Sequence, residues 1–175
     1  MGWDVTDFGS GRFGTRGLVL FCIRNGIQGD PSEKPYAEKL LFVHENQETP
    51  SHCHRQKLED IIVRNGGNLM VEFTLEGSLR DLCNADTPVL VDGRRVDNPL
   101  AAPLRLTPGE SVTIPRGLQH RLYGEPGFGP VFAAEVSQCN DDLTDNIFRE
   151  QLGRFAAIEE DEPAIALLWN EAPVS

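Results

Sequence analysis

Val89-Leu90-Val91-Asp92-Gly93-Arg94-Arg95-Val96 reads as a tight hairpin. Two short β-type runs flank Asp92-Gly93, a dipeptide that supplies the positive φ a type I′ turn requires. Runs of the same kind recur on both sides, at Gly17 to Arg24, Lys39 to His44, Leu58 to Val63, Leu69 to Thr74, Ser111 to Ile114 and Val131 to Val136. Within one of them Leu69, Val71 and Phe73 alternate with Met70, Glu72 and Thr74, so one face is more apolar. Short strands at regular spacing, with turn residues between them, predict an all-β antiparallel sandwich or barrel. One helix is expected over Asp141 to Phe155, with Leu143, Ile147 and Leu152 toward the core and Asp141 or Asp142 as N-cap. The acidic run Glu159-Glu160-Asp161-Glu162 reads as a solvated turn into a last strand, Ala164 to Trp169.

A chain of 175 residues can bury a real core yet is too short for two full enzyme domains. A single domain over residues 1–175 is expected, with its barrel core at about 37–137. Residues 1–36 would form an N-terminal arm, and 138–175 a short C-terminal helical or loop cap with the last strand. The net charge of −11 repels phosphates, which argues against nucleic acid and an anionic membrane surface as partners. The longest clean apolar run, Leu18 to Ile23, is far below the roughly 20 residues that span a bilayer. The first residues carry Asp4, Asp7 and Arg12 and do not read as a signal peptide. Cys22, Cys53, Cys83 and Cys139 have no paired spacing, which suits reduced thiols and a cytoplasmic location.

Gly9-Ser10-Gly11-Arg12-Phe13-Gly14 matches the G-x-G-x-x-G pattern of dinucleotide-binding loops. That loop works only between a buried strand and a helix N-terminus, where amides and dipole converge on the pyrophosphate. Here a polar, irregular stretch precedes it and a strand-like run follows. No nucleotide site is expected.

Three of the four histidines fall into two local patterns. In His52-Cys53-His54 the two imidazoles lie two residues apart, side by side on one face of a strand, and Cys53 points the other way as a packed thiol. A turn around Arg55-Gln56 would return Glu59 beside the pair on the next strand. Further on, Pro115 and Gly117 set a sharp turn after Ser111 to Ile114 that aims His120 at the same cavity. Three neutral nitrogen donors and one carboxylate suit a divalent metal and leave roughly two positions of an octahedron open to an oxygen substrate.

These two stretches resemble the paired motifs of the cupin superfamily, whose fold is a small β-barrel of jelly-roll type. Asn46 stands where the first motif commonly starts with glycine, and Gly124 where the second commonly ends with asparagine. Trp3-Asp4-Val5-Thr6-Asp7-Phe8-Gly9, Lys57 to Ile62 ahead of Gly66-Gly67-Asn68-Leu69, Glu135-Val136-Ser137 and Asn140-Asp141-Asp142 resemble the D-lyxose isomerase family more narrowly. So do Gly153-Arg154-Phe155 and the run Glu159 to Pro163, which extends the likeness over nearly the whole chain. The resemblance implies a Mn²⁺-dependent ketol isomerase that interconverts D-lyxose and D-xylulose, often also D-mannose and D-fructose, and works as a homodimer. Cys53 departs from the bulky apolar or aromatic residue common in the family, and Gln151 from a common proline.

Moving a proton between C1 and C2 of a sugar needs a Lewis acid on the oxygens and a base beside the carbon. Lys57 is the leading acid/base candidate, because it alternates in phase with Glu59 and the resemblance supports a functional lysine there. Partial desolvation near a cation is expected to lower its pKa. A carboxylate should be the second proton-transfer group. Glu150 in the cap is favoured slightly over Glu135, with Asp142 behind both. Arg64, Lys39 and Arg154 are candidates for bonds to sugar hydroxyls. The competing functions are a cupin oxygenase or decarboxylase on the same metal set, and a non-catalytic sugar- or metal-binding module.

Overall fold

The computed structural model describes residues 1–141, 144–152, 163 and 165–168. Thirteen strands form among them: β1 (Gly2–Thr6), β2 (Leu18–Asn25), β3 (Tyr36–Val43), β4 (Glu48–His54), β5 (Glu59–Gly66), β6 (Leu69–Thr74), β7 (Val89–Val91), β8 (Arg94–Val96), β9 (Leu104–Leu106), β10 (Ser111–Ile114), β11 (Gln119–Gly124), β12 (Val131–Gln138) and β13 (Asn146–Phe148). An eight-stranded sheet runs β1-β2-β3-β12-β5-β10-β7-β8, and a five-stranded sheet runs β13-β4-β11-β6-β9. Every pairing between named strands is antiparallel. The two sheets face each other as a jelly-roll sandwich, not a continuous closed barrel.

Side-chain alternation decides which face of each strand turns inward. Leu69, Val71 and Phe73 of β6 are buried while Met70, Glu72 and Thr74 are half-buried, as the period of two predicts. Leu41, Val63 and Ala133 of the large sheet meet Val71, Phe73 and Leu122 of the small one in one core. The Asp92-Gly93 turn forms with φ of 49° and 75°, both in the left-handed region a type I′ hairpin needs.

The inner face of the large sheet changes character along its strands. Ala133 pairs with Leu41 and Val63, and all three are apolar. Two residues on, Glu135 pairs with Lys39, and after two more Ser137 pairs with Glu59. Lys39, Glu135 and Glu59 are all buried. Buried charges are costly unless paired, so this end of the interior has to be a polar site.

Two expectations are corrected. Among the described residues of 141–155 no helix forms. Asp141 does cap a turn, accepting the Thr144 amide at 3.1 Å, but the chain then enters β13 and pairs with β4. The spacing of Leu143, Ile147 and Leu152 mimicked a helical stripe over a segment whose three strand residues are too few to show alternation. Residues 1–36 are also more than an arm, since β1 and β2 belong to the large sheet. Of the last expected strand, residues 165–167 form no strand and Leu168 makes an isolated parallel bridge to Trp3, while 164 and 169, like the acidic run at 159–162, lie outside the described residues.

The glycine-rich loop binds itself. Asp7 accepts the amides of Gly9 at 2.8 Å and Gly11 at 2.6 Å, so a carboxylate already occupies the N–H groups a phosphate would need. The chain continues into β2, not a helix.

Candidate active site

His52 and His54 sit on β4, and His120 sits opposite His52 on β11. A register shift between His120 and Leu122 interrupts that pairing, a local irregularity of the kind that re-aims a side chain. Gly117 makes the approach to β11. Its φ is +78°, and a Cβ there would lie 2.8 Å from that of Leu82. Its amide bonds the His54 carbonyl at 2.7 Å, which ties this turn to β4. Glu59 opens β5 and reaches across from the other sheet.

One ligand atom from each of His52, His54, Glu59 and His120 lies within 4.8 Å of the other three. Glu59 Oε1 is 3.0 Å from His120 Nε2 and 3.4 Å from His54 Nε2. Bonds of about 2.1 Å to one ion put neighbouring donors about 3 Å apart and opposite ones about 4.2 Å apart. His54 Nε2, His120 Nε2 and Glu59 Oε1 are buried without a hydrogen-bond partner. Burial holds the His52 and His54 rings below the usual imidazole range, and the neighbouring imidazoles push the same way. For His54 those effects outweigh the upward pull of Glu59. Burial would raise the Glu59 carboxyl, but Lys57 and His54 hold it well below its ordinary value. Two imidazoles held toward the neutral form and an ionised carboxylate, all inward and partly unpartnered, fit a divalent cation.

Cys53 faces the opposite side of β4, as the alternation predicts. It is fully buried, and Gln119 Nε2 donates to its sulfur at 3.5 Å. His44, the fourth histidine, is exposed just after the end of β3.

Beside the ligand set lies a line of buried charge. Lys57, on the turn between β4 and β5, places Nζ 2.7 Å from Glu135 Oε1 and 3.2 Å from Glu59 Oε2. Lys39 Nζ is 3.6 Å from the same Glu135 oxygen and donates to Asn140 Oδ1 at 2.5 Å. Ser137 Oγ donates to Glu135 at 3.1 Å. Burial alone would lower the Lys57 pKa, but Glu135 and Glu59 outweigh it and raise it. The expectation from desolvation left out these two carboxylates, which stabilise the ammonium. Glu135, raised by burial, is held down by Lys39 and Lys57.

The structure therefore brings Lys57 and Glu135 together with the four ligand candidates, and it places Glu150 elsewhere. Glu150 is 60% exposed and pairs with Arg16 at 3.1 Å in a separate polar cleft. Arg64 is exposed on β5, and Asp142 and Arg154 lie outside the described residues. Asp145 escaped the sequence reading. It is buried against the Lys57 turn, and nothing in its local pattern marks it.

A family model described as D-lyxose isomerase matches residues 1–172. The D-lyxose/D-mannose isomerase of Escherichia coli O157:H7 is 48% identical over 172 residues, covering 98% of this chain and 76% of that protein. That of Serratia proteamaculans is 46% identical over the same length, covering 98% and 75%. Among solved structures, Cellulomonas parahominis L-ribose isomerase superposes with a TM-score of 0.61 at 21% identity, over 81% of this chain and 74% of that one. Acinetobacter sp. DL28 L-ribose isomerase gives 0.55 at 20% identity, over 76% and 70%. At such identities the likeness is one of fold, and the fold is the cupin jelly roll. A match over nearly the full length, with relatives close to half identical, shows that this chain belongs to the D-lyxose isomerase family.

Proposed function

We propose that this enzyme, an aldose–ketose isomerase by its family, interconverts D-lyxose with D-xylulose and D-mannose with D-fructose, using Mn²⁺. The observation that carries the reading is the 2.7 Å contact of Lys57 Nζ with Glu135 Oε1, buried beside the His52, His54, Glu59 and His120 set. Those four residues would hold the ion, which when bound supplies Lewis acidity to the sugar oxygens and to the charge of a cis-enediolate.

The chain's own residues handle the protons. Aldose-to-ketose conversion moves one hydrogen from C2 to C1 and one from O2 to O1. Glu135, an ionised carboxylate held by two lysines, takes the C2 proton on an oxygen and returns it to C1. Lys57, an ammonium at Nζ, gives a proton to O1 and recovers one from O2. Ser137 and Lys39 fix the Glu135 carboxylate so that it does not swing away from the carbon.

The test is to supply the purified protein with Mn²⁺ and each of the two aldoses and to measure ketose formation. D-xylulose from D-lyxose and D-fructose from D-mannose are the expected products. Unchanged D-lyxose, with Mn²⁺ shown to be bound, would overturn the reading.

A further inference from the structure

Asp145 is 3% exposed and immediately precedes β13. Its Oδ1 accepts the backbone N–H of Gln56 at 2.7 Å, and its Oδ2 accepts that of Lys57 at 3.2 Å. The same Oδ2 lies 3.6 Å from His54 Nδ1. That separation is roughly 0.6 Å longer than a usual N–H···O bond.

The other two imidazoles show what this contact is for. His52 Nδ1 meets the Pro50 carbonyl at 2.8 Å, and His120 Nδ1 meets the Leu118 carbonyl at 3.0 Å. Each leans on the residue two positions back in its own strand or turn, which leaves Nε2 for the cluster. His54 has no such bond, and its Nδ1 is buried without a partner. The acceptor that faces it comes from 91 positions along the chain, just before the strand that pairs Asn146 with His54 and Phe148 with His52.

We infer that Asp145 is a positioning residue serving both halves of the site. Its carboxylate orients the His54 ring through Nδ1–H, so that Nε2 joins the ligand set, and its two backbone bonds hold the turn that delivers Lys57 to Glu135. The inference rests on the metal reading of His52, His54, Glu59 and His120. A carboxylate behind a ligating imidazole selects the tautomer and raises the ring's basicity, and a charged acceptor does so more strongly than a carbonyl. Asp145 is then part of the wall of the site.

Asp145→Asn tests this, because it keeps the shape and one acceptor while turning an N–H₂ toward the Lys57 amide and the His54 Nδ1–H. Affinity for Mn²⁺, measured by competition with a chromogenic chelator, should fall about 10- to 100-fold. If parent and variant bind Mn²⁺ equally, the role of Asp145 is overturned and the metal reading stands. If the parent itself binds no Mn²⁺, the metal reading fails and takes this inference with it. A second measurement needs no variant. In the parent loaded with diamagnetic Zn²⁺, nitrogen-15 spectra should show His54 with its proton on Nδ1 and its metal on Nε2. The reverse arrangement would overturn the inference.

Discussion

Lys57 Nζ donates a 2.7 Å hydrogen bond to Glu135 Oε1, joining the turn after β4 to an inner strand of the large sheet across 78 positions of sequence. The bond brings an ammonium and a carboxylate into one buried unit, so their losses should not add. Lys57→Met and Glu135→Gln should each lower kcat by about 10²- to 10⁴-fold with Mn²⁺ retained. The double variant should be no slower than the worse single one. Steady-state kinetics beside metal analysis checks this, and fully multiplicative losses would mean that the two groups act separately.

Glu150 gives the contrasting case. Its partner is Arg16 on an exposed cleft, and such surface pairs contribute at most about 1 kcal/mol. Glu150→Gln should leave kcat/KM within about two-fold of the parent. A hundred-fold loss would transfer the proton-transfer role from Glu135 to Glu150.

Metal removal should be legible in stability. Without an ion, three mutually facing polar atoms of His54, Glu59 and His120 are buried without hydrogen-bond partners. An ion at about one hundred times its Kd adds about 2.7 kcal/mol. For a chain of this size that corresponds to roughly 5 to 10 °C in Tm. Thermal melts with Mn²⁺ and with excess chelator measure the difference, and identical melting would count against a metal in this set.

Burial pushes the Cys53 thiol up from its ordinary 9.0 to about 11. An acid whose pKa is raised by folding contributes stability that is complete below the unfolded value. That contribution is lost as pH rises through about 9 toward 11. Thiolate is the reactive form, so Cys53 should be the slowest of the four cysteines to alkylate in the native protein at pH 8. The half-buried Cys22 should react earlier. Mass spectrometry of a timed alkylation orders them, and early labelling of Cys53 would contradict its inward packing.

Much of the architecture was readable along the chain. The bounds of Leu69–Thr74 and Ser111–Ile114 follow from alternation and turn residues, and the Asp92-Gly93 hairpin from the φ its turn demands. The pairing of His52 with His54 and the aim of His120 follow in the same way, since strand period and a glycine turn act over a few residues. The strand Asn146–Phe148 did not show itself, because three residues carry too little pattern to compete with a chance helical spacing.

Local order thus determined that this protein would be built of antiparallel strands and would offer three imidazoles and Glu59 as candidate ligands. Tertiary structure alone decided which carboxylate meets Lys57, which way the Lys57 pKa moves, and that Asp145 stands behind His54. Those outcomes depend on sheet register and on the charges that register brings together. A pair such as Lys57 and Glu135 has no local signature, because its partners meet only when β5 and β12 lie side by side.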